Sequence, residues 1–125
     1  MHARRTVLIV EDDDDLRRMF RTALTFADFD VREAADGHTA LADIDQHGPD
    51  IIVLDLGLPT LSGYIVLEEL AAQAHTRNIP VVVVTGQEAP TQTEAMTCVL
   101  RKPVTPDRLV NVVRRCIVEG SPPVV

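Results

Sequence analysis

Three short apolar runs constrain this chain more than any other feature: Val7-Leu8-Ile9-Val10, Ile51-Ile52-Val53-Leu54 and Val81-Val82-Val83-Val84. Each is rich in β-branched residues and is bounded by charged or turn-forming residues. A strand that is apolar on both faces must be covered on both, which suits a parallel sheet wrapped by helices. Phe29-Asp30-Val31-Arg32 alternates instead and is predicted to form a half-exposed edge strand. Cys98-Val99-Leu100 supplies a fifth strand.

Helical periodicity fills the gaps. Leu16, Met19, Phe20, Ala23, Leu24 and Ala27 follow the i, i+3, i+4 spacing of one buried stripe. Ala40, Leu41 and Ile44 make a shorter stripe, stopped by Gly48-Pro49. Gly63, Val66, Leu67, Leu70 and Ala71 repeat the pattern, and Asn78-Ile79-Pro80 leads away from it. The last stripe is Leu109, Val112, Val113, Cys116 and Ile117, with Thr105 as N-cap and Pro106 in the first helical position. Strands alternating with helices imply an α/β domain with right-handed crossovers. A five-stranded doubly wound parallel sheet in the order 2-1-3-4-5 fits best. At 125 residues the chain reads as a single domain, 1–125, with an ordered core of about 6–118 and a frayed tail at 119–125.

Charge and cysteine usage narrow the function classes. Glu11, Asp12, Asp13, Asp14 and Asp15 form one run, and without it the formal net charge of −7 falls to −2. No basic stripe remains to follow a phosphate backbone, so direct nucleic-acid binding is not expected. Cys98 and Cys116 lack metal-ligand spacing and read as small core hydrophobes in a reducing compartment. His2, His38, His47 and His75 are scattered and read as surface residues. The apolar runs are too short for a signal peptide or a membrane span, so a cytoplasmic protein is expected.

In an open α/β sheet, ligands bind beyond the carboxyl ends of the strands. The residues there are Glu11 and Asp12 after the first strand, Asp55 after the third, Thr85 after the fourth, and Arg101, Lys102 and Pro103 after the fifth. The strand order makes Asp12 and Asp55 neighbours. Three clustered carboxylates persist by raising a pKa or by holding a cation. An oxygen-only donor set favours a hard ion, Mg²⁺ above all. Lys102 would bring a compact positive charge and Thr85 a neutral donor to a phosphoryl group, and an aspartate can act as nucleophile to form an acyl phosphate. Asp13, Asp14 and Asp15 need no metal, since acids are favoured in a first helical turn.

The segments Val7 to Asp13, Asp50 to Pro59 followed by Gly63, Val84-Thr85-Gly86 and Leu100-Arg101-Lys102-Pro103 resemble the receiver domain of bacterial two-component response regulators. The resemblance runs from about Thr6 to Val118 and implies a flavodoxin-like fold. It implies phosphoryl transfer to Asp55 from a histidine kinase or a histidine phosphotransfer protein. It also implies metal-ligand oxygens from Asp12 and Asp55, a metal-bound water held by Glu11, and a third protein ligand from the Gly57 backbone carbonyl. Thr85 and Lys102 would contact the phosphoryl group, and the Lys102–Pro103 bond would be cis. Such a chain is a signalling switch rather than an enzyme, assisting its own phosphorylation and dephosphorylation and changing its affinity for a downstream partner.

Two features depart from the family. The segment between Thr85 and Lys102 is short, so the fourth helix is expected to be shortened to roughly Thr91 to Met96. The family usually has an aromatic residue three positions before the lysine, and here that position is Val99. With 3% aromatics, no nearby ring replaces it. Two rival readings are a phosphorylation-independent interaction module, which the acidic pocket argues against, and a phosphatase with Asp55 as nucleophile. The second lacks a catalytic acid two positions on, where Gly57 stands.

Overall fold

The structure, a computed structural model, describes residues 4–87, 93 and 95–118. Five strands, β1 (Thr6–Val10), β2 (Asp30–Ala34), β3 (Ile51–Asp55), β4 (Val81–Thr85) and β5 (Cys98–Arg101), form one sheet in the order β2-β1-β3-β4-β5. All neighbouring pairs are parallel. Helices α1 (Asp14–Phe26), α2 (Gly37–His47), α3 (Gly63–Ala72) and α4 (Pro106–Val118) cover both faces. The expected strand order is present, as are the four helices predicted from the apolar stripes. The shortened helix expected near Thr91 falls largely outside the described residues. In its stretch Met96 N–H donates to Thr93 C=O at 3.1 Å, a single turn. The tail at 119–125 also lies outside them.

Alternation along the strands divides the core into two layers. Val7, Ile9, Ile51, Val53, Val82 and Val84 point to one side and pack with Phe20 and Leu24 of α1 and Leu109 and Val113 of α4. Leu8, Val10, Ile52, Leu54, Val81 and Val83 point to the other and pack with Ala40 and Ile44 of α2 and Val66, Leu67 and Leu70 of α3. Every residue of β3 and β4 is buried, which explains their unbroken apolar runs. Each fully buried large side chain, Phe20 for one, contributes about 1.5–3 kcal/mol relative to exposure.

The helix ends follow from local chemistry. Asp13 caps α1, its side chain accepting from Leu16 N–H at 3.0 Å. Asp14 and Asp15 pair with Arg17 and Arg18 one turn on. Asp36 caps α2 by accepting from Thr39 N–H at 2.8 Å, and Gly48 ends that helix at φ 56°, a left-handed conformation that glycine adopts without a Cβ penalty. Thr105 Oγ1 accepts from Arg108 N–H at the start of α4, as its sequence position predicts. The half-exposed edge strand runs Asp30–Ala34, later than predicted; Phe29 precedes it and is buried in the core. Arg32 on that strand makes a forked pair with Asp43 of α2, at 2.6 to 3.1 Å.

Cys98 and Cys116 are half-buried against the α1–α4 layer. His38, His47 and His75 are exposed. No described helix is long and apolar enough to cross a membrane.

Candidate functional site at the carboxyl edge of the sheet

The parallel ladders bring the ends of β1, β3, β4 and β5 to one edge. Val10 pairs with Leu54, Asp55 with Val84, and Thr85 with Arg101. The residues that follow are therefore delivered together. Glu11, Asp12 and Asp55 each present a carboxylate oxygen within 4.8 Å of the others. Glu11 and Asp55 are buried and Asp12 is exposed. Lys102 reaches in from the end of β5, its Nζ 2.9 Å from Glu11 Oε1 and 3.4 Å from Asp55 Oδ2. The Lys102–Pro103 bond is cis.

Backbone contacts hold these groups in place. Glu11 N–H extends the β1–β2 ladder by donating to Ala34 C=O, while Glu11 Oε2 accepts from Asp13 N–H at 3.2 Å. Arg17 donates to the Glu11 carbonyl at 2.8 Å and ties the start of α1 to Asp14 and Glu33. Asp55 Oδ1 accepts from Gly57 N–H at 3.0 Å. Gly57 is exposed in the loop beyond β3, beside the cluster. Lys102 N–H donates to Thr85 C=O at 2.8 Å, so the lysine is anchored to the strand that carries the threonine. Thr85 is buried and its Oγ1 accepts from Gln87 N–H at 3.1 Å.

Closeness between Asp55 and α3 depends on Gly63. A Cβ there would lie 2.5 Å from the Asp55 carbonyl oxygen and 2.6 Å from Leu56 Cα. Gly63 N–H donates to Leu56 C=O, which pins the helix start against the strand end.

The electrostatics match the geometry. Burial pushes the Glu11 carboxyl up from its ordinary range, against the pull of Lys102 and the Asp13 amide, with Asp55 adding to the rise. Partial burial works against the charged Lys102 ammonium, but Glu11 and Asp55 together hold its pKa above the ordinary lysine value. Glu11 Oε1 is buried and faces the Lys102 ammonium at 2.9 Å, so the charge of this oxygen is offset by the lysine. An all-oxygen donor set with no histidine or cysteine suits a hard divalent cation.

Six residues singled out by the sequence, Glu11, Asp12, Asp55, Gly57, Thr85 and Lys102, are thus gathered at one edge. Arg101, which pairs with Thr85 across the ladder, is exposed. Two residues that the motifs do not mark adjoin the site: Gln87, whose amide donates to Thr85 Oγ1, and Tyr64 from α3, whose hydroxyl donates to Gln87 Oε1 at 3.0 Å. Their separation of 23 positions left no local signal.

Residues 7–114 match the family model of the response regulator receiver domain. The regulatory protein AtoC of Escherichia coli is 33% identical over 122 residues, covering 94% of this chain and 26% of AtoC. The sensory transduction protein RegX3 of Mycobacterium tuberculosis is 38% identical over 84 residues, covering 67% of this chain and 36% of RegX3. The chain therefore spans only a fraction of the length of these relatives. The chemotaxis response regulator CheY4 of Vibrio cholerae superposes with a TM-score of 0.83 at 27% identity, covering 90% of this chain and 98% of that one. A response regulator from Chloroflexus aurantiacus gives a TM-score of 0.85 at 30% identity, covering 93% and 99%. Receiver domains of this kind are phosphorylated by histidine kinases and bind Mg²⁺ at an acidic pocket. The match across most of the chain, the shared fold and the acidic strand-end cluster agree: this chain belongs to the receiver domain family of response regulators.

Proposed function

We propose that Asp55 is the phosphoacceptor and that 1–125 works as one receiver domain in the cytoplasm. The observation that carries this reading is the placement of Lys102 between the buried carboxylates of Glu11 and Asp55, with Asp12 beside them. An Asp55 carboxylate oxygen attacks the phosphorus of a phosphohistidine on a histidine kinase or phosphotransfer protein. A P–O bond forms, the P–N bond breaks, and the imidazole leaves with the electron pair and takes up a proton. Asp12, Asp55 and the Gly57 carbonyl would hold Mg²⁺, with Glu11 holding a metal-bound water; the ion would offset negative charge on the transferring group.

Gly57 N–H, by donating to Asp55 Oδ1, orients the carboxylate and leaves Oδ2 on the Lys102 side. Lys102 would shift from the carboxylates to the new phosphoryl oxygens, and Thr85 would donate its hydroxyl hydrogen to another. A Cβ on Gly86, next to Thr85, would meet none of the described residues within 4 Å. Return to the starting state is hydrolysis: water attacks phosphorus, the Asp55–phosphorus bond breaks, and inorganic phosphate leaves. The same residues assist this step, which makes the domain a self-resetting switch of partner affinity.

Incubation with acetyl phosphate and Mg²⁺, read by intact mass, tests the assignment. Wild type should gain one phosphoryl group, lost on chelation of the metal, and Asp55→Asn should gain none. Equal labelling of the Asp55→Asn protein would overturn it.

A further inference from the structure

The resemblance leads one to expect a ring where Val99 stands; Tyr64 of α3 instead brings a ring within hydrogen-bond reach of Gln87, two residues beyond Thr85. Tyr64 is the chain's one tyrosine, and there is no tryptophan. It lies in the first turn of α3, half-buried against the layer that also takes Met96 and Val99. Its hydroxyl donates to Gln87 Oε1 at 3.0 Å, and Gln87 N–H donates to Thr85 Oγ1 at 3.1 Å. Two hydrogen bonds thus connect α3 to the hydroxyl at the end of β4.

The direction of these bonds decides what Thr85 can do. A hydroxyl has one hydrogen to donate and two lone pairs to accept with. The Gln87 amide takes up an accepting position on Thr85 Oγ1, which leaves the threonine its single hydrogen to give. Thr85 is 1% exposed, so bulk water does not compete freely for that hydrogen. Its neighbour Val84 pairs with Asp55 across the ladder, which puts the hydroxyl at the phosphoacceptor's edge. Gln87 itself is exposed and follows Gly86, a residue with little to hold its conformation. The bond from Tyr64 supplies that hold.

From this geometry we infer that Tyr64 and Gln87 are positioning residues for phosphoryl transfer: Tyr64 fixes Gln87, and the Gln87 amide turns the Thr85 hydroxyl hydrogen toward a phosphoryl oxygen on Asp55. The inference rests on the reading of Asp55 as phosphoacceptor. It gives the lone tyrosine a role through a main-chain contact, without touching the phosphoryl group.

A double-mutant cycle on labelling by acetyl phosphate and Mg²⁺ tests it. Tyr64→Phe keeps the ring and its packing and removes the hydroxyl. Its initial labelling rate should fall about fivefold, the scale of one net hydrogen bond. Gln87→Ala should fall by a similar factor. Mg²⁺ affinity by calorimetry and the thermal midpoint should stay at wild-type values in Tyr64→Phe. In a Thr85→Ala background, adding Tyr64→Phe should cost nothing further, because the path runs through the threonine hydroxyl. Equal rates for wild type and Tyr64→Phe overturn the inference, as does an equal loss with and without Thr85. An unlabelled wild type overturns the Asp55 reading first and this one with it.

Discussion

Lys102 Nζ lies 2.9 Å from Oε1 of Glu11, a buried carboxylate oxygen with no hydrogen bond among the described residues. An ammonium and a buried anion at this distance depend on each other. Removal of the cation leaves the carboxylate with the Asp13 amide as its hydrogen-bond donor against burial and the charge of Asp55.

Lys102→Met should therefore lower stability at neutral pH by about 1–3 kcal/mol. The loss should shrink on acidification. A glutamate whose folded pKa is raised holds a proton that the unfolded chain releases, so its native form is favoured below the ordinary glutamate range and disfavoured as pH rises through the raised value. Wild type should also weaken in alkali, above the ordinary lysine range, as Lys102 loses its charge; the variant should not show that limb. Urea midpoints across the pH range check both limbs.

Asp12→Ala should weaken Mg²⁺ binding by tenfold or more, on the order of the loss of one charged ligand, without destabilising the metal-free fold. It removes one of three carboxylates that lie within 4.8 Å of each other. Calorimetric titration with Mg²⁺ and thermal melting in chelator make the comparison. A large loss of metal-free stability would show that Asp12 serves the fold instead.

Gly63→Ala should destabilise by about 1–3 kcal/mol, because its Cβ would be driven into backbone atoms of Asp55 and Leu56 that cannot swing aside. Gly86→Ala, whose Cβ meets none of the described residues within 4 Å, should leave the unfolding midpoint near wild type. Chemical denaturation of the two variants side by side gives the contrast.

Asp36, the N-cap of α2, supplies an acid-side pH dependence of its own. The Thr39 amide, then the Thr39 hydroxyl, hold its carboxyl below the ordinary aspartate range. A lowered folded pKa contributes stability above the ordinary aspartate range and loses it as pH falls through the folded value. Asp36→Asn still caps α2 but has no proton to gain, so its stability should decline less steeply on acidification. Melting curves from neutral to strongly acid pH read the difference.

The strand-end site was legible because its residues directly follow buried runs: Glu11 after Val10, Asp55 within the end of β3, Thr85 at the end of β4. A parallel sheet then gathers them whatever their distance in the chain. Caps were legible for a similar reason, since Asp13 and Thr105 act on amides three residues away. Contacts made by long side chains were not. Arg17 reaching the Glu11 carbonyl, Arg32 gripping Asp43 and Tyr64 meeting Gln87 depend on helix placement over the sheet, which no local pattern encodes. The edge of β2 was misplaced because Phe29, apolar and next to the strand, packs into the core without joining the ladder.

The two core layers have a consequence for how such a chain changes over generations. The sheet backbone separates the side chains beneath α1 and α4 from those beneath α2 and α3. A volume change in one layer is met first by that layer's own helices, and close packing passes the remainder on to the strands. Volume-conserving substitutions can then accumulate on one flank without forfeiting the alignment of the strand ends. The two flanks can thus diverge in sequence at different rates while the strands between them keep their order.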